Sequence, residues 1–212
     1  MPVVVEFTLH AKPGHFAEVL SAYNSFVDSL EHDVTDLQVV LVAAEAAEGF
    51  IRGVGVYDHA DVAEGLNSRP FFASFVDKVE SLLASPPERI ELQLSHLYTL
   101  GDQPAVPTTG TEALIELTLN AKPGHYSEVM GLYTDFASAF QVKVPDARLA
   151  MVTGDPASGL IRGIVMYEHS DVAKSVNSLP FFAEFIDSAV PLLSAAPTRV
   201  EHSLVHLFVR EG

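Results

Sequence analysis

Between Val3 and His10 the side chains alternate. Val3, Val5, Phe7 and Leu9 fall on one side and Val4, Glu6, Thr8 and His10 on the other, which is the period of a strand. Lys12-Pro13-Gly14 interrupts the run. From about residue 15 to 30 the spacing becomes helical, with Phe16, Val19, Leu20, Tyr23, Phe26, Val27 and Leu30 on one stripe. A short β-rich run at 37–43 and a turn at 44–49 lead into a third strand over 50–57. Its glycines, Gly53 and Gly55, are expected where a side chain would crowd a neighbour. Asp61 is placed to cap a short helix reaching Leu66. Pro70 suits the first turn of a further helix whose apolar stripe is Phe71, Phe72, Phe75, Val76, Val79, Leu82 and Leu83. Pro86-Pro87 ends that helix, and 89–100 reads as a last strand.

The whole pattern then recurs. AKPGH at 11–15 returns at 121–125, and IRG at 51–53 returns at 161–163. YDHADVAEGLNSRPFFASF, from Tyr57, returns as YEHSDVAKSVNSLPFFAEF, from Tyr167, always at an offset of 110. Solenoid units are typically ~20–50 residues, so this period is a whole domain. GDQPAVPTTGTE, at 101–112, has no periodicity and reads as a linker between domains at 1–100 and 113–212. Each copy has the order β-α-β-β-α-β, an α+β ferredoxin-like unit with an antiparallel sheet and helices on one face. The other sheet face is too apolar to stay wet. Two fused ferredoxin-like domains with antiparallel sheets packed face to face, a pseudo-dimeric α/β barrel within one chain, would cover it. The linker raises the effective concentration of the halves for each other, and edge strands leave room for a higher oligomer.

Composition narrows the classes of function. The chain has 12 Lys and Arg against 28 Asp and Glu, a formal charge of -16, which disfavours nucleic acid and anionic membranes as partners. No run approaches the ~20 apolar residues of a membrane span, and MPVVVEFTLH has no basic leader region, so a cytoplasmic location is expected. Cysteine is absent, which removes disulfides and thiolate chemistry. HExxH, GxGxxG and P-loop motifs are absent too, so no metal and no cofactor is expected.

Each copy resembles an antibiotic biosynthesis monooxygenase domain of the dimeric α/β-barrel class. The resemblance rests on the strand running into Lys-Pro-Gly, on Tyr-acidic-His after the third strand, and on Asn-Ser-x-Pro-Phe-Phe. It covers 2–100 and 112–210. It implies cofactor-independent oxygenation of aromatic polyketides and quinols, haem degradation, or membership among relatives with no established role. The haem-degrading branch uses an Asn, a Trp and a His, and this chain has no Trp. The Trp position falls at Gly65 and Ser175, and the His position near Phe75 and Phe185, so haem degradation is disfavoured. The Trp that the polyketide oxygenases place at the end of the third strand corresponds to Tyr57 and Tyr167. Their Asn four residues upstream corresponds to Gly53 and Gly163.

Cofactor-free oxygenation needs a base, donors for a substrate anion and a dry cavity. Histidine suits the base because it titrates near neutrality. His59 and His169, beside Tyr57 and Tyr167, are candidates, against a reading as turn caps or solvated residues. His96 and His206 share the face of Leu94 and Leu204 by alternation, and would either line a cavity or pack in a core. His15 and His125 read as surface residues. Asn67 and Asn177 would orient a substrate oxygen or, with the adjacent serines, cap the helices begun by Pro70 and Pro180. Arg52 and Arg162 would bind a carboxylate or pair with Glu6/Glu116 or Glu91/Glu201 across the sheet. Phe71, Phe72, Phe75 and Tyr23, with Phe181, Phe182, Phe185 and Tyr133, would wall a flat apolar or aromatic ligand or form ordinary core. Three functions remain open: a monooxygenase acting on a phenolic, quinol or polyketide-like molecule, a non-catalytic carrier of an apolar metabolite, and a structural barrel. An enclosed cavity walled by a His and a Tyr is expected of the first.

Overall fold

The computed structural model describes residues 2–99 and 112–210. The expected linker, except Glu112, lies outside them. The first copy runs β1 (Val3–His10), α1 (Phe16–Asp33), β2 (Leu37–Glu45), β3 (Phe50–Tyr57), α2 (Ala60–Gly65), α3 (Pro70–Val79) and β4 (Glu88–Thr99). The second runs β5 (Ala113–Asn120), α4 (Tyr126–Lys143), β6 (Ala147–Asp155), β7 (Leu160–Tyr167), α5 (Ser170–Val176), α6 (Pro180–Ala189) and β8 (Thr198–Val209). The fold is α+β, with the ferredoxin-like order twice and all strand pairs antiparallel.

The described residues form two compact units. One holds 2–92 together with 203–210, the other 93–99 together with 112–202. In the first unit β3 lies between β1 and β2, and β2 also pairs with the end of β8 from Ser203 to Val209. In the second, β7 lies between β5 and β6. There β6 pairs with the end of β4, and β5 with the start of β8.

Alternation decides what each sheet face does. Val3, Val5, Phe7 and Leu9 pack into the core with Val19, Tyr23, Phe26, Val27 and Leu30 of α1 and with Phe75 and Val79 of α3. The opposite face is buried as well, at Val4, Glu6, Leu41, Val54 and Val56. In the second unit Leu117 and Leu119 meet Val129, Tyr133, Ala137 and Phe185 in the same way.

Three local expectations need correction. Asp61 is not the cap of α2: His59 holds that position in extended backbone and Asp61 lies in the first turn. Asn67 and Ser68 do not cap α3. They form a short 3-10 turn, and Arg69 and Leu179 occupy the caps of α3 and α6 without side-chain hydrogen bonds. His96 and Leu94 do not share a face, nor do His206 and Leu204, because each strand carries a register shift between those two residues. One extra residue reverses the alternation beyond it.

Candidate functional site

The glycines of β3 and β7 decide what sits above them. A Cβ on Gly53 would lie 1.9 Å from the Tyr23 hydroxyl, and one on Gly163 would lie 1.9 Å from that of Tyr133. The tyrosines reach down from α1 and α4 into space that any other residue would fill. Their hydroxyls donate to the carbonyls of Phe7 (3.5 Å) and Leu117 (3.3 Å). This is the crowding expected at Gly53. It also means that where the oxygenases of the resemblance carry an Asn, this chain supplies a helix-borne phenol.

Around each tyrosine is a small cavity between helices and sheet. The first, ≈30 Å³, is walled by Tyr23, Tyr57 and Arg89 among apolar groups that include Phe26, Leu30 and Phe72. The second, also ≈30 Å³, is walled by Tyr133, Tyr167 and Arg199 with Phe136, Phe140 and Phe182. A volume of this order holds a few waters, whereas pockets for drug-sized ligands run to ~300–1,000 Å³. Neither wall carries a carboxylate or a histidine.

Burial pushes the Tyr23 and Tyr133 phenols well above the usual range, and the neighbouring Tyr57 and Tyr167 push them further. Burial also raises Tyr57 and Tyr167, against the pull of Arg89 and Arg199. All four are therefore neutral donors at physiological pH, and the guanidinium is the only charge on each wall. Arg89 also reaches the Ala63 carbonyl (3.1 Å) and Arg199 that of Ala173 (2.9 Å). Arg89 is further paired with Glu91 at 2.5 Å, while Arg199 has no carboxylate partner among the described residues.

The histidines lie elsewhere. His59 Nδ1 is 2.6 Å from Asp36 and His169 Nδ1 is 2.7 Å from Asp146, with both rings largely exposed. Hydrogen bonding to these carboxylates raises both imidazoles. Burial pushes Asp36 up, but the hydrogen bonds from His59 outweigh it and leave the carboxyl below its usual range. His206 Nε2 meets Glu31 of α1 at 2.5 Å. His96 pairs opposite Val152, with its Nε2 buried and unpartnered among the described residues.

Arg162 Nε lies 3.1 Å from Glu116 and Arg52 Nε donates to Thr8 at 2.9 Å, and neither lines a tyrosine cavity. Asn177 lines the second cavity, but Asn67 does not line the first. Of the phenylalanines, Phe72 and Phe182 line the cavities, while Phe71 and Phe75 line a separate groove. Asp146, Glu168 and His169 bring possible metal ligands within 4.8 Å of one another, although Asp146 already holds His169 and Glu168 holds Arg148.

Arg89 and Arg199 were not singled out by the pattern of the chain, yet a signal existed. They are identical residues at the repeat offset, placed mid-alternation near the start of a strand.

No protein-family model matches the chain, and no curated protein matches it. Solved structures do. A Fusobacterium nucleatum protein provisionally assigned as a monooxygenase is 12% identical, with a TM-score of 0.84 over 100% of this chain and 95% of its own. An anthrone oxidase-like protein is 12% identical, with a TM-score of 0.70 over 98% and 92%. A Listeria monocytogenes ferredoxin-fold protein related to antibiotic biosynthesis monooxygenases is 9% identical, with a TM-score of 0.53 over 100% and 97%. At these identities the likeness is one of fold, and the fold of this chain is the two-copy ferredoxin-like fold of proteins related to antibiotic biosynthesis monooxygenases.

Proposed function

We propose that the chain is a cofactor-independent monooxygenase for a flat phenolic or enolic molecule, and that the second unit carries the reaction. The observation that supports this most is the convergence of the neutral Tyr167 phenol and the Arg199 guanidinium, without any carboxylate, on an apolar cavity in which the Tyr133 hydroxyl is held by the Leu117 carbonyl. Arg199 and Tyr167 offset the burial that otherwise opposes ionisation, so the substrate binds as its oxyanion, the proton passing to solvent and returning later to the peroxide anion. The bound anion passes one electron to dioxygen, and the radical pair joins at carbon. Loss of water from the hydroperoxide leaves a carbonyl, so a CH2 and O2 become C=O and H2O. Arg199 is the better anion partner because the charge of Arg89 is already met by Glu91. Opening past Phe136 and Phe182 admits the ring. A neighbour of the same fold is described as anthrone oxidase-like, which suits this chemistry.

The lack of a base on either wall favours a second reading, in which the cavity binds the anion and no oxygen is consumed. An oxygen electrode with anthrone and with hydroquinones separates the two. The first reading expects uptake above the uncatalysed rate that drops at least tenfold in Arg199→Ala and less in Arg89→Ala. Uptake indifferent to Arg199, or none at all with a bound phenolate visible in the ultraviolet spectrum, leaves only the binder.

A further inference from the structure

A further concave site lies outside both tyrosine sites. It is a groove of ≈160 Å³ between α1 and α3 of the first unit, lined by Ala22, Ser25, Phe26, Ser29, Phe71, Ser74, Phe75 and Lys78. Its floor is aromatic: Phe26 stacks on Phe75 with ring centres 4.6 Å apart, and Phe71 lies 5.9 Å from Phe26.

Its rim is polar and unevenly engaged. Ser25 and Ser29 donate their hydroxyls to carbonyls one turn back, at 3.1 Å each. Ser74 and Lys78 have no hydrogen-bond or ion-pair partner among the described residues. They are four residues apart on α3, and such positions share one helix face. A hydroxyl and an ammonium side by side above three phenyl rings form a donor pair over an apolar seat. In a chain of net charge -16 this groove has one cation and no acid on its rim.

The repeat supplies a built-in contrast. At the offset of 110, Ser25, Ser74 and Lys78 become Asp135, Glu184 and Ser188, while Phe26, Phe71 and Phe75 remain as Phe136, Phe181 and Phe185. Ser188 turns its hydroxyl to the Glu184 carbonyl at 2.7 Å. The aromatic packing recurs in the second unit, where Phe136 stacks on Phe185 at 4.4 Å, but the donor pair becomes Glu184 and Ser188, Ser25 becomes Asp135, and the nearby cation is Lys143 over the Phe181 ring.

We infer that the α1–α3 groove of the first unit is a binding site for a small aryl carboxylate. Its ring lies against the half-buried Phe71, over the buried edges of Phe26 and Phe75, and its carboxylate is held by Ser74 and Lys78. The site is independent of the oxygenation chemistry above.

The full chain is titrated with benzoate and, as the neutral analogue, benzamide, following backbone amide shifts. Benzoate should give saturable shifts concentrated at 22–29 and 71–78 and none of that kind at 132–139 and 181–188. It should bind about tenfold more tightly than benzamide. Ser74→Glu with Lys78→Ser gives the first groove the second unit's residues at two exposed positions, and should reduce benzoate to the level of benzamide or below. Absence of saturable shifts at the groove, equal affinity for the two ligands, or benzoate binding retained in the double variant would each overturn the site.

Discussion

The two cavities share a plan and differ in how it is filled. Each has a helix tyrosine standing on a glycine, a strand tyrosine and an arginine. In the first, Arg89 is tied to Glu91, and a Cβ on Gly55 would come within 2.9 Å of the Tyr57 ring. In the second, Arg199 keeps its charge unmet, Val165 stands where Gly55 does, and Tyr167 packs edge-on against Phe140. Val27 and Val40 shrink to Ala137 and Ala150, and Asn177 joins the wall. The two copies thus share the tyrosine pair and the arginine and differ in the surrounding outline.

The largest expected effect tests what is common. Gly53→Ala and Gly163→Ala should each destabilise by about 1–3 kcal/mol, because each tyrosine is wedged among phenylalanine rings and cannot retreat. Urea unfolding measures this, and a large difference between the two variants would mean that the shared plan is not shared. Next, Gly55→Val should displace Tyr57 and cost the first unit about 1 kcal/mol or more. Val165→Gly in the second unit should cost a similar amount by leaving a void. If Gly55→Val is neutral, the two strand tyrosines are interchangeable and the contrast fails. Glu91→Gln should then sharpen the difference in charge. It frees Arg89 and should raise the first cavity's affinity for 2-naphtholate several-fold, read by fluorescence, whereas Glu201→Gln should do nothing.

The smallest effect concerns a feature that does not differ. His59 and His169 are both raised by hydrogen bonds to Asp36 and Asp146. A raised imidazole contributes stability fully below its ordinary value and loses it as pH rises through the raised one. The lowered Asp36 carboxyl contributes above its ordinary value and loses it as pH falls through the lowered one. The first pair therefore stabilises most in mildly acidic solution, weakly because it is exposed. Asp36→Asn and Asp146→Asn should each lower their histidine's titration midpoint toward the ordinary value, measured by NMR.

Much of the fold could be read from periodicity. Strand β1 and helix α1 follow from spacing 2 or 3.6 alone, and the offset of 110 carries the reading to the second copy. What escaped was set by tertiary packing. No local pattern shows the register shifts that reverse His96 and His206, because they depend on the partner strands β6 and β2. Histidine chemistry drew attention to His59, yet Asp36, distant in sequence, holds its ring away from the interior. Arg89 carries no local mark of function, and the cavity reveals what it faces.

Strand β2 pairs from Val39 to Ala44 with residues 203–209, which lie more than 150 positions further along the chain. A ribosome that has released only the first hundred residues has therefore made β2 but not its outer neighbour. Until residues 203–209 are translated, that row of amides and carbonyls is open to any passing strand, so a polypeptide cut before residue 203 should be sticky rather than a shorter working one.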